Sequence, residues 1–209
     1  MAFTYFFRDL HILDLAVNHV VPVISGRRNI RFWDAGCAMG PEPYTLAILC
    51  AEKMGYFAFK NLKIHATDID SSNLFSEQIT SGLYKRELLE RIPRNLFDKY
   101  FEPAELPDHF QVIEPVRNRL TFQRHNLLSL EPVGDNFSLI VCKNMLLHFN
   151  EGERIKVIEM FHRALAVDGF FATEQTQKLP KETAHLFRQV SSDGQLFRKE
   201  ELVSSYTQP

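Results

Sequence analysis

The sequence predicts an α/β fold: a mostly parallel sheet with helices on both faces and an antiparallel hairpin at one edge. Three observations predict it. Short apolar runs alternate with stretches whose apolar residues recur at helical spacing. One run, Phe137–Cys142 (FSLIVC), is continuously apolar, as in strands covered on both faces. The segment FRQVSSDGQLFRK turns on Asp193-Gly194, a hairpin dipeptide. With 209 residues, 45% of them hydrophobic, the chain suits a single domain over 1–209 with a substantial core.

The elements follow in order. Ile30–Ala35 (IRFWDA) reads as a strand ending in a Gly-rich turn. A helix starts at Pro41, where a missing N–H costs nothing, and runs through Leu46, Leu49 and Cys50 to a stop near Gly55. Leu62–Thr67 is a second strand, followed by a helical stretch from about Ser71 to Ser81. The region of about 84–119, with Pro93, Pro103, Pro107 and Pro115, interrupts the rhythm. It reads as a small inserted subdomain, a helical piece over Glu87–Tyr100 and then a hairpin. Leu120–His125 is the next strand, and FSLIVC follows it. Glu151–Ala166 is an amphipathic helix with Ile155, Ile158, Phe161 and Leu165 on one face. Asp168-Gly169 ends that helix, and Phe170–Thr173 is a strand before the final hairpin.

Composition narrows the function. Lys+Arg 24 against Asp+Glu 26 gives a net charge of −2, without the basic excess of a general nucleic-acid binder. The best apolar N-terminal stretch, Leu10 to Ile24, is interrupted by Asp14, Asn18, His19 and Pro22 and is too short to span a bilayer. No secretory signal pattern is present. Three cysteines without CxxC spacing imply a reducing, cytoplasmic setting, with neither disulfide framework nor zinc site.

Chemistry is expected outside the carboxyl ends of the strands. The turn Gly36-Cys37-Ala38-Met39-Gly40 follows the first strand, and its glycines allow a sharp bend and close approach to a ligand. Geometry alone also explains such a turn. It is neither GxGxxG nor a P-loop, so a nucleoside triphosphate is disfavoured. Asp68, after the second strand, can accept from the vicinal hydroxyls of a ribose, whereas Asp70 suits a helix cap. Together they suggest adenosine held without phosphate recognition.

Further motifs extend over nearly the whole chain. TYFFRD at Thr4–Asp9, GPEPYTLA at Gly40–Ala47, ATDID at Ala66–Asp70, SGLY at Ser81–Tyr84, NLL at Asn126–Leu128 and CKNMLLHF at Cys142–Phe149 occur in one order. The sequence thereby resembles the CheR family of chemotaxis-receptor glutamate methyltransferases. The resemblance implies the Rossmann-like fold of class I S-adenosylmethionine-dependent methyltransferases, with S-adenosyl-L-methionine as cofactor and S-adenosyl-L-homocysteine as product. It implies a receptor or other protein substrate, neither nucleic acid nor metal, and an insertion that matches the family's small β-subdomain. It assigns Asp68 to the ribose, Glu42 to a place beside the cofactor, Asn126 and Leu127 to the adenine, and Lys143 and Asn144 to the methionine moiety. Thr4 and Arg8 match cofactor- and substrate-side positions, and Gly36, Cys37, Ala38 and Gly40 form the cofactor turn.

Departures accompany the match. GPEPYT replaces GEEPYS, which substitutes Pro41 for an acid. CKNMLLHF places Lys143 for Arg and His148 for Tyr, near the family's transfer site. The first motif begins at residue 4, which implies a catalytic domain without the helical domain that precedes it in the family.

Two readings of Arg8 stay open: a bidentate clamp on an acceptor carboxylate, or an ion pair with Asp9 or Asp14. An ionised glutamate acceptor needs no general base, so the protein would supply proximity and orientation. A hydroxyl or amine acceptor would need one, and His148 is the candidate, with a packed, non-catalytic histidine as the other reading. The alternatives to a protein-glutamate methyltransferase are a methyltransferase of another acceptor and a non-catalytic cofactor-binding module. Phe3, Phe6 and Phe7 place rings beside the proposed site.

Overall fold

A computed structural model describes residues 4–71 and 73–201. Helix α1 (Leu10–Ile24) turns Ile12, Leu13, Ala16, Val17, Val20 and Ile24 inward. Strand β1 (Ile30–Ala35) leads through the Gly-rich turn to α2 (Pro41–Phe59). Gly55 breaks α2 at φ 71°, and one further turn resumes beyond the expected stop. Strand β2 is Leu62–Asp68 and helix α3 is Phe75–Ser81.

The helix expected from Ser71 therefore begins later; Ser72 lies outside the described residues. The reason is local. Asp70 and Asn73 adopt left-handed conformations at φ 40° and 58°. The Asp70 carboxylate accepts from the backbone N–H groups of Leu74 (3.1 Å) and Phe75 (3.3 Å), so it caps a helix that starts beyond it.

Residues 83–112 form a separate three-stranded antiparallel sheet from β3 (Leu83–Lys85), β4 (Phe101–Pro103) and β5 (His109–Val112), in the order β3-β5-β4. Its helix, α4, covers Arg94–Tyr100. The expected start at Glu87 fails because Pro93 has no N–H and keeps Ile92 out of helical conformation. A short 3₁₀ turn, Arg86–Leu88, stands there instead. The one-turn helix α5 (Glu114–Arg117) leads to β6 (Leu120–Arg124).

Strand β7 (Phe137–Val141) is buried at all five positions. Helix α6 (Glu151–Ala164) opens on a capping box between Asn150 and Glu153. Strand β8 (Leu165–Ala172) then starts earlier than expected. Asp168-Gly169 does not end the helix but sits in an irregularity of β8, where Phe137 faces Leu165 and Leu139 faces Phe170. Asp168 pairs there with Arg27, and a Cβ on Gly169 would lie 2.7 Å from the Phe137 carbonyl oxygen. Strands β9 (Phe187–Gln189) and β10 (Leu196–Lys199) form the terminal hairpin.

The main sheet has seven strands in the order β6-β2-β1-β7-β8-β10-β9. Its first five are parallel, and β10 runs antiparallel to both β8 and β9. One face packs Phe32, Val141 and Phe170 against α1, α2 and the small sheet. The other packs Trp33, Ile140 and Phe171 against Ile158 and Phe161 of α6. Among the described residues no helix is long and apolar enough to cross a membrane; Leu10–Ile24 is a packed helix of 15 residues.

Candidate active site

From the centre of the sheet, β1 leads outward to β2 while β7 leads the other way to β8. Such a switch point leaves a crevice beyond the carboxyl ends of the strands. Here it is a cavity of about 410 Å³, within the size range of small-molecule sites. Thr4, Arg8, Gly36, Cys37, Ala38, Glu42, Asp68, Lys143, Asn144 and His148 line it, with Met145 and Leu147. Segments distant in sequence are thus brought to one wall.

Three expected residues lie off that wall. Gly40, just before α2, is buried beneath Tyr84 and Ile79. The Asn126 side chain accepts from the Leu128 N–H (3.0 Å). Leu127 packs into the core on the α6 side. Of the three phenylalanines, Phe6 is fully buried, Phe7 is half-buried, and Phe3 lies outside the described residues.

The turn is held in a conformation that glycine makes possible. Gly36 and Gly40 have φ 98° and 97°, and Ala38 is also left-handed at 48°. A Cβ on Gly36 would collide with Met145 Cγ. The N–H groups of Gly36 (2.7 Å) and Cys37 (3.0 Å) donate to the Thr67 carbonyl, and that of Ala38 donates to Asp68 Oδ2 (3.0 Å). Three successive N–H groups are therefore spent on the end of β2, not presented as a phosphate nest. Asp68 Oδ1 accepts from the Asp70 N–H (3.1 Å), yet each carboxylate oxygen has room for a second donor.

Lys143 and Glu42 engage each other. The fully buried Lys143 ammonium donates to Glu42 Oε2 (2.7 Å) and to the Arg8 carbonyl (3.4 Å), with Asp9 Oδ2 at 3.7 Å. The Phe7 N–H donates to Thr45 Oγ1 (3.1 Å) on α2, so the segment carrying Arg8 is tied down on both sides. Arg8 pairs with Asp9 at 3.6 Å, not with Asp14, and its side chain remains about one third exposed.

Beyond β7, Asn144 is left-handed at φ 56°, and its N–H donates to Glu174 Oε2 (3.0 Å). His148 is exposed at the cavity rim, and among the described residues nothing hydrogen-bonds its ring. The Cys37 thiol is buried and pushed well above its ordinary value by burial and then by Asp34, so it is a packed hydrophobe and not a nucleophile.

Asp34 was not anticipated. It is fully buried at the end of β1, and neither carboxylate oxygen has a hydrogen-bond partner among the described residues. Its signal in the sequence was a charge inside the apolar run IRFWDA. Glu174 was equally unforeseen, since nothing near it in sequence marks it as Asn144's anchor.

These residues fit an adenosyl cofactor: glycine lets the backbone come close, Asp68 keeps acceptor capacity, and no phosphate nest competes. A roomier depression of about 600 Å³, lined by Arg86 and Phe97 on the inserted region, touches none of the strand ends.

Residues 2–196 match the family described as CheR methyltransferase, SAM binding domain. The chain belongs to that family. A chemotaxis protein methyltransferase of Borreliella burgdorferi is 34% identical over 80% of this chain and 61% of its own length. Chemotaxis protein methyltransferase 2 of Pseudomonas aeruginosa is 28% identical over 90% and 66%. The chain thus spans less than two thirds of either relative. Among solved structures, the glycopeptide N-methyltransferase MtfA complexed with sinefungin aligns at a TM-score of 0.45 with 13% identity, covering 77% of this chain and 49% of that one. The sheet order and the family agree on the Rossmann-like class I methyltransferase fold, with S-adenosylmethionine as the cofactor of this CheR domain.

Proposed function

We propose that this protein methylates a side-chain carboxylate of a protein substrate, a receptor glutamate in the first instance. One observation carries the reading: a single cavity is lined both by Gly36, Cys37, Ala38 and Asp68 and by Arg8. S-adenosylmethionine, when bound, supplies a methyl group on a sulfonium centre. Asp68 accepts from the ribose hydroxyls with the acceptor capacity it retains. Arg8 orients the incoming carboxylate through its planar fork. An acceptor carboxylate is already ionised at neutral pH and needs no proton removed. That suits a rim histidine, His148, whose ring no group among the described residues hydrogen-bonds. The relatives are chemotaxis protein methyltransferases, which supports a protein substrate.

Calorimetric titration with S-adenosylhomocysteine tests the cofactor placement. Asp68→Ala should weaken binding by about 1.5–3 kcal/mol, the worth of hydrogen bonds to a charged acceptor; unchanged affinity refutes the assignment. Incubation with labelled cofactor and a receptor signalling domain should give base-labile label, as an ester requires. Base-stable label would move the acceptor to a hydroxyl or amine.

A further inference from the structure

Asp34 presents a chemical problem that the rest of the site does not resolve. Native interiors rarely leave both oxygens of a carboxylate without a donor, yet Asp34 is fully buried with neither oxygen paired among the described residues. Its direction follows from strand alternation. The neighbouring Trp33 indole donates to Thr67 Oγ1 (2.9 Å) and packs on Phe137 and Phe161, on the α6 side of the sheet. Asp34 therefore projects to the α2 side, where Glu42 and Lys143 meet at the cavity.

The surroundings are acidic. Glu42 on α2 and Asp68 at the end of β2 stand around Asp34, with Lys143 as a fully buried cation; Glu174, beyond β8, faces the neighbouring Cys142. Lys143 is already committed to Glu42 at 2.7 Å. The thiols of Cys37 and Cys142 complete the titratable groups nearby. Among the described residues no group of three or more His, Cys, Asp or Glu side chains is placed to hold a metal ion.

We propose that Asp34 is a specificity-determining residue, by which the cavity distinguishes the sulfonium cofactor from the neutral thioether that remains after methyl transfer. The inference rests on the methyltransferase reading above. In the free protein Asp34 holds its proton: burial first, then Glu42, keep its carboxyl well above the usual carboxylate range; Lys143 opposes them and Asp68 adds to the rise. A ligand that brings a fixed positive charge into the cavity favours the ionised form. One proton then passes from Asp34 to the buffer, leaving a carboxylate behind the cavity lining that attracts the new cation through the interior. The thioether carries one positive charge fewer and leaves Asp34 protonated, so the product gains none of the attraction that the ionised carboxylate gives the sulfonium.

Calorimetry on the intact protein near neutral pH, in two buffers of different ionisation enthalpy, tests this with S-adenosylmethionine and S-adenosylhomocysteine as probes. The wild type should release more protons with the sulfonium than with the thioether. Asp34→Asn should abolish that difference and reduce the preference for the sulfonium by about tenfold, as expected for losing one charge near the cation in a partly screened interior. If that variant does not fold, the wild-type proton count decides alone. Equal proton exchange with both ligands overturns the proposal, as does an unchanged preference in Asp34→Asn, while the methyltransferase reading stands. Failure of the wild type to bind either ligand overturns both.

Discussion

Asp34 and Lys143 are both fully buried, yet they sit in opposite situations. Lys143 has a carboxylate at 2.7 Å and a carbonyl in reach, so its charge is compensated where it stands. Asp34 has no donor among the described residues, and neutralisation is the cheaper solution for it. That difference is measurable as a pH dependence of stability without any ligand. An unfolded aspartate titrates near 3.9, whereas folded Asp34 keeps its proton to a higher pH. Between those two values the native state binds more protons than the unfolded one. Stability therefore falls as pH rises, by up to about 1.4 kcal/mol per pH unit from this group. Below the unfolded value both states are protonated and the contribution is complete; above the folded value it has been lost. Urea unfolding of wild type and Asp34→Asn from pH 4 to 7 should show the variant gaining relative stability as pH increases. Parallel curves would mean that Asp34 titrates normally. The charge was visible in IRFWDA, but its burial was not, because a strand sequence does not say which of its faces α2 will cover.

At the scale of elements, the Gly-rich turn carries both the site and a structural joint. Gly40 has φ 97°, and a Cβ there would lie 2.7 Å from Tyr84 Oη and 2.8 Å from Ile79 Cγ1. The Tyr84 hydroxyl in turn donates to the Met39 carbonyl (2.8 Å), which links β3 to the turn. Gly26 provides the comparison: it has φ 83° but nothing within 4 Å of its Cβ position. Gly26→Ala should cost only the left-handed backbone penalty, about 1–2 kcal/mol. Gly40→Ala should add an overpacking cost of about 1–3 kcal/mol and weaken S-adenosylhomocysteine binding. Equal losses in thermal or urea unfolding would show that the Tyr84 contact yields freely. Strands β1, β2 and β7 and the start of α2 were legible because apolar runs and a proline at a helix start are local signals. The start of α3 and the passage of β8 through Asp168-Gly169 were not. Asp70 selects its own backbone donors, and Gly169 fits closely beneath a carbonyl from another strand. The separation of Asn126 and Leu127 from the cavity wall likewise depends on how the turn after β6 folds back onto the core.

Over the whole molecule, Phe6 is the residue on which the separate parts converge. It belongs to the same short segment as Arg8, and its ring lies 4.9 Å from Tyr84, 5.4 Å from Phe101 and 6.5 Å from Tyr44, between centroids. Those partners come from β3, β4 and α2, so one buried ring joins the small sheet, the main domain and the segment at the cavity rim. Phe97 makes a useful contrast, since its ring contacts, Phe101 at 5.6 Å and Phe110 at 5.0 Å, stay within residues 83–112. Removing a buried phenylalanine costs about 3–5 kcal/mol through lost transfer energy and the cavity left behind, but where the loosening spreads depends on what the ring connects. Phe6→Ala should raise amide hydrogen exchange in both the small sheet and the Gly36–Tyr44 turn, and should weaken S-adenosylhomocysteine binding. Phe97→Ala should raise exchange in the small sheet while leaving the turn and that affinity close to wild type. If Phe6→Ala leaves either the small sheet or the turn as protected as before, Phe6 does not couple them, and the rim segment is positioned by its polar contacts, those to Lys143 and Thr45 among them.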